Sequence, residues 1–261
     1  PKDKLIWSVR GMLHPDALKQ KSFKKKIVLM LLSIFPFVRK IKFHATDEIE
    51  QENIEKIFGT AVHIRKALNF PFIYDVADPV EKKSGTIQLL TVALVSPMKN
   101  HQLILKTLLQ CKGEVIYDIV GAVRDENYWS QCQKLIALMP SNITVRYHGE
   151  KKPEELYSFY RNAHLMVLPS KSENFAHAIA EALSSGRPVL TSYHTPWNQL
   201  QENYAGINVS TDELDLLKAL DFFIDLDQQD FNLFCSGARN YFERHINVTD
   251  IQLQYKNLFT E

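Results

Sequence analysis

The stretch "HLMVLPSKSENFAHAIAEALSSGRPVLTS", residues 164–192, decides the fold. Its first apolar run ends at Pro169 and Ser170, and a polar loop follows. Residues 174–185 then carry apolar side chains at helical spacing, and Gly186 and Pro188 stop the helix before "VLTS" begins a second run. Both runs are apolar at successive positions, which indicates strands covered on both faces. A strand that returns after one helix pairs in parallel through a crossover.

The same alternation continues on either side. Strand-length runs occur at 87–95, 114–121, 142–148 and 205–209, and residues 100–110, 125–139 and 153–162 have helical period. With the two runs above, this makes a Rossmann-like domain with a six-stranded parallel sheet. The tail, residues 211–260, reads as two or three helices, the first opened by a capping box of Ser210 and Glu213. Toward the N-terminus only three strands are predicted, at 5–9, 41–46 and 61–65, separated by helices at 22–39 and 47–58. Three strands and two helices make half of a doubly wound sheet, so apolar surface and one sheet edge are expected to lie uncovered. A Pro-rich, charged hinge is predicted over 69–85. The expected division is therefore 1–84 for a partial N-terminal domain and hinge, and 85–261 for a complete C-terminal domain.

Composition narrows the class. The chain has 261 residues, 45% apolar and 23% charged, with a net charge of +1, enough for one large core or two small ones. Disorder, collagen and coiled coil are excluded by these proportions. Three scattered cysteines, Cys111, Cys132 and Cys235, fit a reducing cytoplasm and indicate neither a disulfide framework nor a zinc site. A near-neutral charge and scattered aromatics give no reason to expect nucleic acid. Asn142, Asn208 and Asn247 begin N-x-S/T triplets, which have no meaning without secretion.

One local imbalance stands out. The longest apolar run, "IVLMLLSIFPFV" at 27–38, is too short to span a bilayer. Around it, from Ala17 to Thr46, there is no acidic residue, while Lys19, Lys21, Lys24, Lys25, Lys26, Arg39, Lys40 and Lys42 are basic. Two readings are open: a buried helix with a solvated basic start, or a basic and apolar surface over 19–42 that rests on anionic lipid.

In a parallel sheet, ligands bind beyond the carboxyl ends of the strands. The loop "SPMKNH", 96–101, brings Lys99 and Asn100 to the start of a helix, where a cation and backbone N–H groups can meet an anion. In the loop after residue 169, Ser172, Glu173 and Asn174 are expected to cap a helix whose first turn offers the N–H groups of Phe175, Ala176 and His177. Glu181 follows Glu173 by eight residues, expected to be two helical turns, so the two carboxylates can address different parts of one elongated ligand.

These residues carry a resemblance. "SENFAHAIAEALSSGRPVLTS" resembles the signature of the retaining glycosyltransferases of family 4, the group 1 glycosyl transferases of the GT-B fold. Their hallmark is Glu, seven residues, Glu, then a small residue, Gly, any residue, Pro and Val. Here it is matched by Glu173, Glu181, Ser185, Gly186, Arg187, Pro188 and Val189. "LLTVALVSPMKNHQLILKTL" and "NITVRYHGEKKPEELYSFYRNAHLMVLPS" are similar to the family's preceding blocks, and "WSVRGMLHPDAL" and "IKFHATDEIEQENI" to the last part of its acceptor domain.

The resemblance implies a metal-independent transferase, with no cofactor, that moves a sugar from a UDP- or GDP-linked donor to a glycan or lipid-linked acceptor with retention. The setting it implies is bacterial polysaccharide or glycolipid synthesis, in the cytoplasm or peripherally on the inner face of the plasma membrane. Carried over by position, Lys99 neutralises the leaving diphosphate and Glu173 contacts the sugar near its reacting face. Asn100, Asn174 and the N–H groups of Phe175, Ala176 and His177 line the donor, Glu181 accepts from the ribose hydroxyls, and Gly149 and Glu150 lie near the base. Arg10 and Gly11 lie on the acceptor side.

Departures accompany the matches. Five residues before Lys99, where the family usually has arginine, stands Leu94, with Lys171, Arg124 and Lys151 as possible replacement cations. The usual glycine after the aromatic is Ala176. A chain beginning at Pro1 is expected to lack the earlier part of the acceptor domain. An inactive or purely nucleotide-sugar-binding module is therefore the alternative.

Overall fold

The computed structural model describes residues 5–13, 18, 22–76 and 80–260. These form two compact units. One comprises the described residues up to Phe70 together with those from Asn247 onward, and the other is Pro71–Ile246.

The first unit has a three-stranded parallel sheet in the order β1 (Ile6–Ser8), β2 (Lys42–Ala45), β3 (His63–Lys66). Helix α1 (Ser22–Ile34) joins the first two strands and α2 (Glu48–Phe58) the next two. The helix expected over 22–39 ends early because Pro36 starts a separate 3-10 turn, Pro36–Lys40. Phe43 fills the centre of a small core with Val9, Ile41 and Ile54, its ring 5.4 Å from that of Trp7. Asp47 caps α2 by accepting from the N–H of Glu50. The last helix returns to this unit: the Leu68 N–H donates to Gln254 Oε1, and Tyr255 packs edge-on against His44.

The second unit holds the six parallel strands the sequence predicts. They are β4 (Thr86–Val92), β5 (Glu114–Val120), β6 (Ile143–Tyr147), β7 (Leu165–Leu168), β8 (Val189–Ser192) and β9 (Gly206–Val209). Their order is β6-β5-β4-β7-β8-β9. Helices α3 (His101–Leu108), α4 (Glu126–Ile136), α5 (Pro153–Asn162) and α6 (His177–Ser184) alternate with the strands. They are followed by α7 (Glu213–Asp225) and α8 (Gln228–His245), and α9 (Val248–Thr260) belongs to the first unit. Ile87, Leu89, Tyr117 and Ile119 point from the sheet into one core with Ile104 and Leu220.

The expected boundaries, 1–84 and 85–261, differ from the compact units at two places. Residues 71–84 pack with the second unit, where Tyr74 donates its N–H to Ser184 Oγ and Lys82 donates to the carbonyls of Ile224 and Leu226 at the end of α7. The last helix packs with the first. The expected cap of α7 is also corrected. Asp212 rather than Ser210 accepts the N–H of Asp215, and Ser210 instead donates its hydroxyl to the carboxylates of Asp212 and Asp215.

The strand order locates the site. From β4 the chain steps outward to β5 and β6, then crosses back so that β7 lies on the other side of β4. Loops after β4 and β7 therefore diverge, and the crevice between them is the switch point where parallel sheets bind ligands.

Candidate active site

The two loops at this switch point are joined. Asn100 takes a left-handed conformation, φ 61°, and its Nδ2 donates to the Pro169 carbonyl at 3.2 Å. The Lys171 N–H donates to the Met98 carbonyl at 2.9 Å. Behind them, Ser192 Oγ donates to the Ser170 carbonyl at 2.5 Å, so β8 supports the loop after β7.

At the centre Lys99 Nζ lies 2.5 Å from Glu173 Oε1, an oxygen that also accepts from Ser170 Oγ at 2.6 Å. The Lys99 side chain is 23% exposed and that of Glu173 8% exposed, so this ion pair is largely withdrawn from water. Contrary to the expectation from the sequence, Glu173 does not cap the helix. Its carboxylate is taken by Lys99 and Ser170, and its N–H donates to the His194 carbonyl at 3.1 Å.

Helix α6 consequently begins at His177, with Ala176 as its N-cap at φ 62°. An alanine in this conformation carries a strain that glycine does not. The N–H groups at this end belong to a helix start, which attracts anions. The ring of Phe175 packs on Trp197, whose Nε1 donates to the Phe175 carbonyl at 2.5 Å, and on His177, which is exposed. Asn174 is exposed on the same loop.

Glu181 lies one turn into α6, nearer the start of the helix than its spacing from Glu173 suggested. Its Oε2 accepts from the Tyr160 hydroxyl at 2.9 Å, and burial raises its pKa above the ordinary carboxylate value, an effect this hydrogen bond partly offsets. Next to Lys99, His101 is fully buried and neither ring nitrogen has a partner among the described residues. Burial, and secondarily the charge of Lys99, push its pKa down to about 4, so the ring is neutral at pH 7 and adds no charge.

Gly149 and Glu150 follow β6, two strands from β4, a separation of roughly 10 Å at the usual strand spacing. The Gly149 carbonyl accepts from the Gly121 N–H at 2.8 Å. Gly121 has no substitute there, since a Cβ would lie 2.0 Å from the Ala93 carbonyl oxygen. Leu94 is 46% exposed beside this loop and offers no charge where the resemblance expects arginine.

In the first unit, Arg10 and Gly11 form the turn after β1 with φ of 41° and 75°. Arg10 Nε donates to Ser8 Oγ at 3.4 Å. His44 donates Nε2–H to the Ala67 carbonyl at 2.8 Å, which leaves Nδ1 to accept the Ser8 hydroxyl at 2.9 Å. The Gly11 N–H donates to Glu50, whose other oxygen accepts from the N–H and hydroxyl of Thr46.

Sequence reasoning missed Ser170, Tyr160 and Trp197, which hold Glu173, Glu181 and Phe175 in place. Ser170 had a signal in its position three residues before Glu173, while Tyr160 and Trp197 act through contacts distant in the chain. Among the described residues, no group of three His, Cys, Asp or Glu side chains is placed to hold a metal ion.

The family described as glycosyl transferases group 1 matches residues 76–231, which include both joined loops and both carboxylates. The chain belongs to the group 1 glycosyl transferases.

A curated relative, the O-antigen chain mannosyltransferase RfbU of Salmonella typhimurium, is 21% identical over 193 residues, 72% of this chain and 50% of its own length. The chain thus spans about half the length of this relative. Among solved structures, Anabaena HepE in complex with UDP and glucose aligns with a TM-score of 0.75 at 17% identity, over 100% of this chain and 72% of that one. An S. aureus TarM mutant in complex with Fondaparinux, alpha-GlcNAc-glycerol and UDP aligns at 0.74 and 17% identity, over 99% and 51%. WaaG, a glycosyltransferase involved in lipopolysaccharide biosynthesis, aligns at 0.66 and 14% identity, over 97% and 73%. Together with the parallel sheets, these likenesses give the fold of this group 1 glycosyl transferase as the GT-B type.

Proposed function

We propose that this chain carries the donor site of a transferase that moves a sugar from a nucleoside diphosphate sugar, with retention, to a glycan or lipid-linked acceptor of a bacterial surface. The observation that carries the reading is the Lys99–Glu173 pair at the switch point of the sheet, beside a helix N-terminus. A diphosphate arriving there competes with Glu173 for Lys99. As the bond to the sugar breaks, negative charge grows on the leaving phosphate, and a cation placed in advance stabilises that change. Freed from Lys99, Glu173 faces the sugar. Glu181, held by Tyr160, takes the ribose hydroxyls, and the loop at Gly149 and Glu150 takes the base. Lys99 and the helix start supply positive charge from the chain itself, and the reaction is proposed to use no metal. The solved HepE and TarM complexes contain UDP, which favours a uridine nucleotide over a guanosine one.

Calorimetry with UDP and GDP, followed by assay of transfer or hydrolysis from the matching sugar nucleotides, tests the proposal. Binding of one diphosphate, with product of unchanged anomeric configuration by NMR, is expected. Binding without turnover would leave a nucleotide-sugar module, and no binding of either diphosphate overturns the donor site.

A peripheral membrane contact is the second part of the proposal. Val28, Met30, Leu31, Ile34, Phe35 and Phe37 are exposed on α1 and the turn after it. Of the basic residues around them, Lys19 and Lys21 lie outside the described residues, as do the side chains of Lys24, Lys25, Lys26 and Arg39. Among the described residues no helix is long and apolar enough to cross a membrane. This surface is suited to lie on anionic lipid. Co-sedimentation with liposomes should require anionic lipid and weaken with salt; binding indifferent to lipid charge rejects this contact.

A further inference from the structure

Lys99 stands in the site already neutralised. Its partner Glu173 is 8% exposed, and the charges of the pair sum to zero. The adjacent His101 is held neutral by burial. A helix start contributes roughly half a charge. A nucleoside diphosphate brings between about two and three negative charges, depending on whether its terminal phosphate is esterified. These groups therefore leave most of that charge unanswered.

Of the three candidate replacement cations, Lys151, just before α5, is engaged with Glu155 at 3.7 Å. Lys171 and Arg124 are exposed, and neither side chain has an ion-pair or hydrogen-bond partner among the described residues. They differ in where the backbone anchors them. Arg124 donates its N–H to the Val95 carbonyl at 3.0 Å, four residues before Lys99. Lys171 donates its N–H to the carbonyl of Met98, the residue adjoining Lys99, and lies between Ser170, which holds Glu173, and Glu173 itself. Its flexible stem and compact ammonium suit a phosphate reached from the side.

We propose that Lys171 is the second cation of the diphosphate site, engaging the phosphate oxygens that the single charge of Lys99 leaves unneutralised. The assignment rests on the donor-site reading above. It adds a residue that binds the leaving group from the loop carrying Glu173, so one loop presents a cation to the phosphate and a carboxylate to the sugar.

The test measures UDP, GDP and their parent nucleosides against the full 261-residue chain by calorimetry and ligand-observed NMR. Lys171→Gln is expected to weaken the diphosphate that binds about tenfold, or about 1.4 kcal/mol, and to leave the nucleoside unchanged. Lys171→Arg should keep most of the affinity. The difference between the wild-type and Gln forms should shrink as salt rises, as screening requires. Thermal melts of the variants should match the wild type, since the side chain is exposed. Unchanged diphosphate affinity in Lys171→Gln overturns the proposal, as does an equal loss for the nucleoside or a loss found in Arg124→Gln instead. Failure of the unsubstituted chain to bind either diphosphate overturns the donor-site reading and this assignment together. Binding by that chain with no effect of Lys171→Gln overturns this assignment alone.

Discussion

The two ends of the 173–189 signature treat charge in opposite ways. At the first end Lys99 and Glu173 satisfy one another at the mouth of the sheet, in contact with loops that a ligand can reach. At the second, Arg187 is 1% exposed and gives Nε to the Tyr160 carbonyl at 3.0 Å, Nη2 to the Arg161 carbonyl at 2.8 Å and Nη1 to Cys235 Sγ at 3.9 Å. It closes the C-terminal end of α5, where carbonyls lack helical partners. The ion pair can exchange one partner for a phosphate. The buried arginine is held by backbone carbonyls, and its burial keeps it from an arriving phosphate. On the proposed function, charged residues 14 positions apart in one motif thus divide into a binding group and a scaffold group according to what each is paired with.

Four substitutions probe that contrast. Arg187→Ala should have the largest effect, since it removes two side-chain donors from the end of α5 and leaves a cavity behind. A loss of about 3 kcal/mol or more in urea unfolding is expected, and a loss below 1 kcal/mol would show that Arg187 is not a scaffold group. Lys99→Gln should do the reverse. Removing a charge-assisted contact is expected to cost about 2 kcal/mol of diphosphate affinity, with a smaller loss of folding stability, and equal losses in both would erase the distinction.

Ala176→Gly relieves a left-handed backbone at the start of α6 and should raise stability by about 1 kcal/mol. A destabilised variant would mean that the methyl group contributes more by packing than it costs in strain.

The smallest effect is a pH dependence at Glu181. Its pKa in the folded chain is raised above 4.5, so between the two values the native state holds a proton that the unfolded chain has lost. Stability therefore falls as pH rises through that window and does not recover above it. Glu181→Gln should remove this part of the decline and weaken nucleotide binding; an unaltered pH profile would contradict the burial of the charge.

The same contrast explains what the sequence could convey. Strand-length runs such as 114–121 and the crossover at 164–192 were legible because period and punctuation are local, and so was the placing of Lys99 and Glu173 on loops after strands. The pairing of those two residues was not, since it joins positions 74 apart in the chain. Glu173 read as a helix cap because acidic residues commonly fill that role. Its carboxylate goes instead to Lys99 and Ser170, so α6 starts at His177. Arg187 read as a variable position because nothing in "SGRPV" shows that α5 ends against it. Ser210 gave way to Asp212 as the cap of α7 by a choice between neighbouring acceptors that spacing alone did not settle.

The return of α9 to the first unit has a practical meaning for dissecting this chain. In topological terms the six-stranded unit is an insertion, entered after Phe70 and left before Asn247. A single cleavage cannot release it: proteolysis at 69–85 alone leaves it attached through Ile246. Shortening the chain from its C-terminus removes Gln254 and Tyr255 from beside Leu68 and His44, and so damages the unit that carries Arg10 before it reaches the one that carries Lys99.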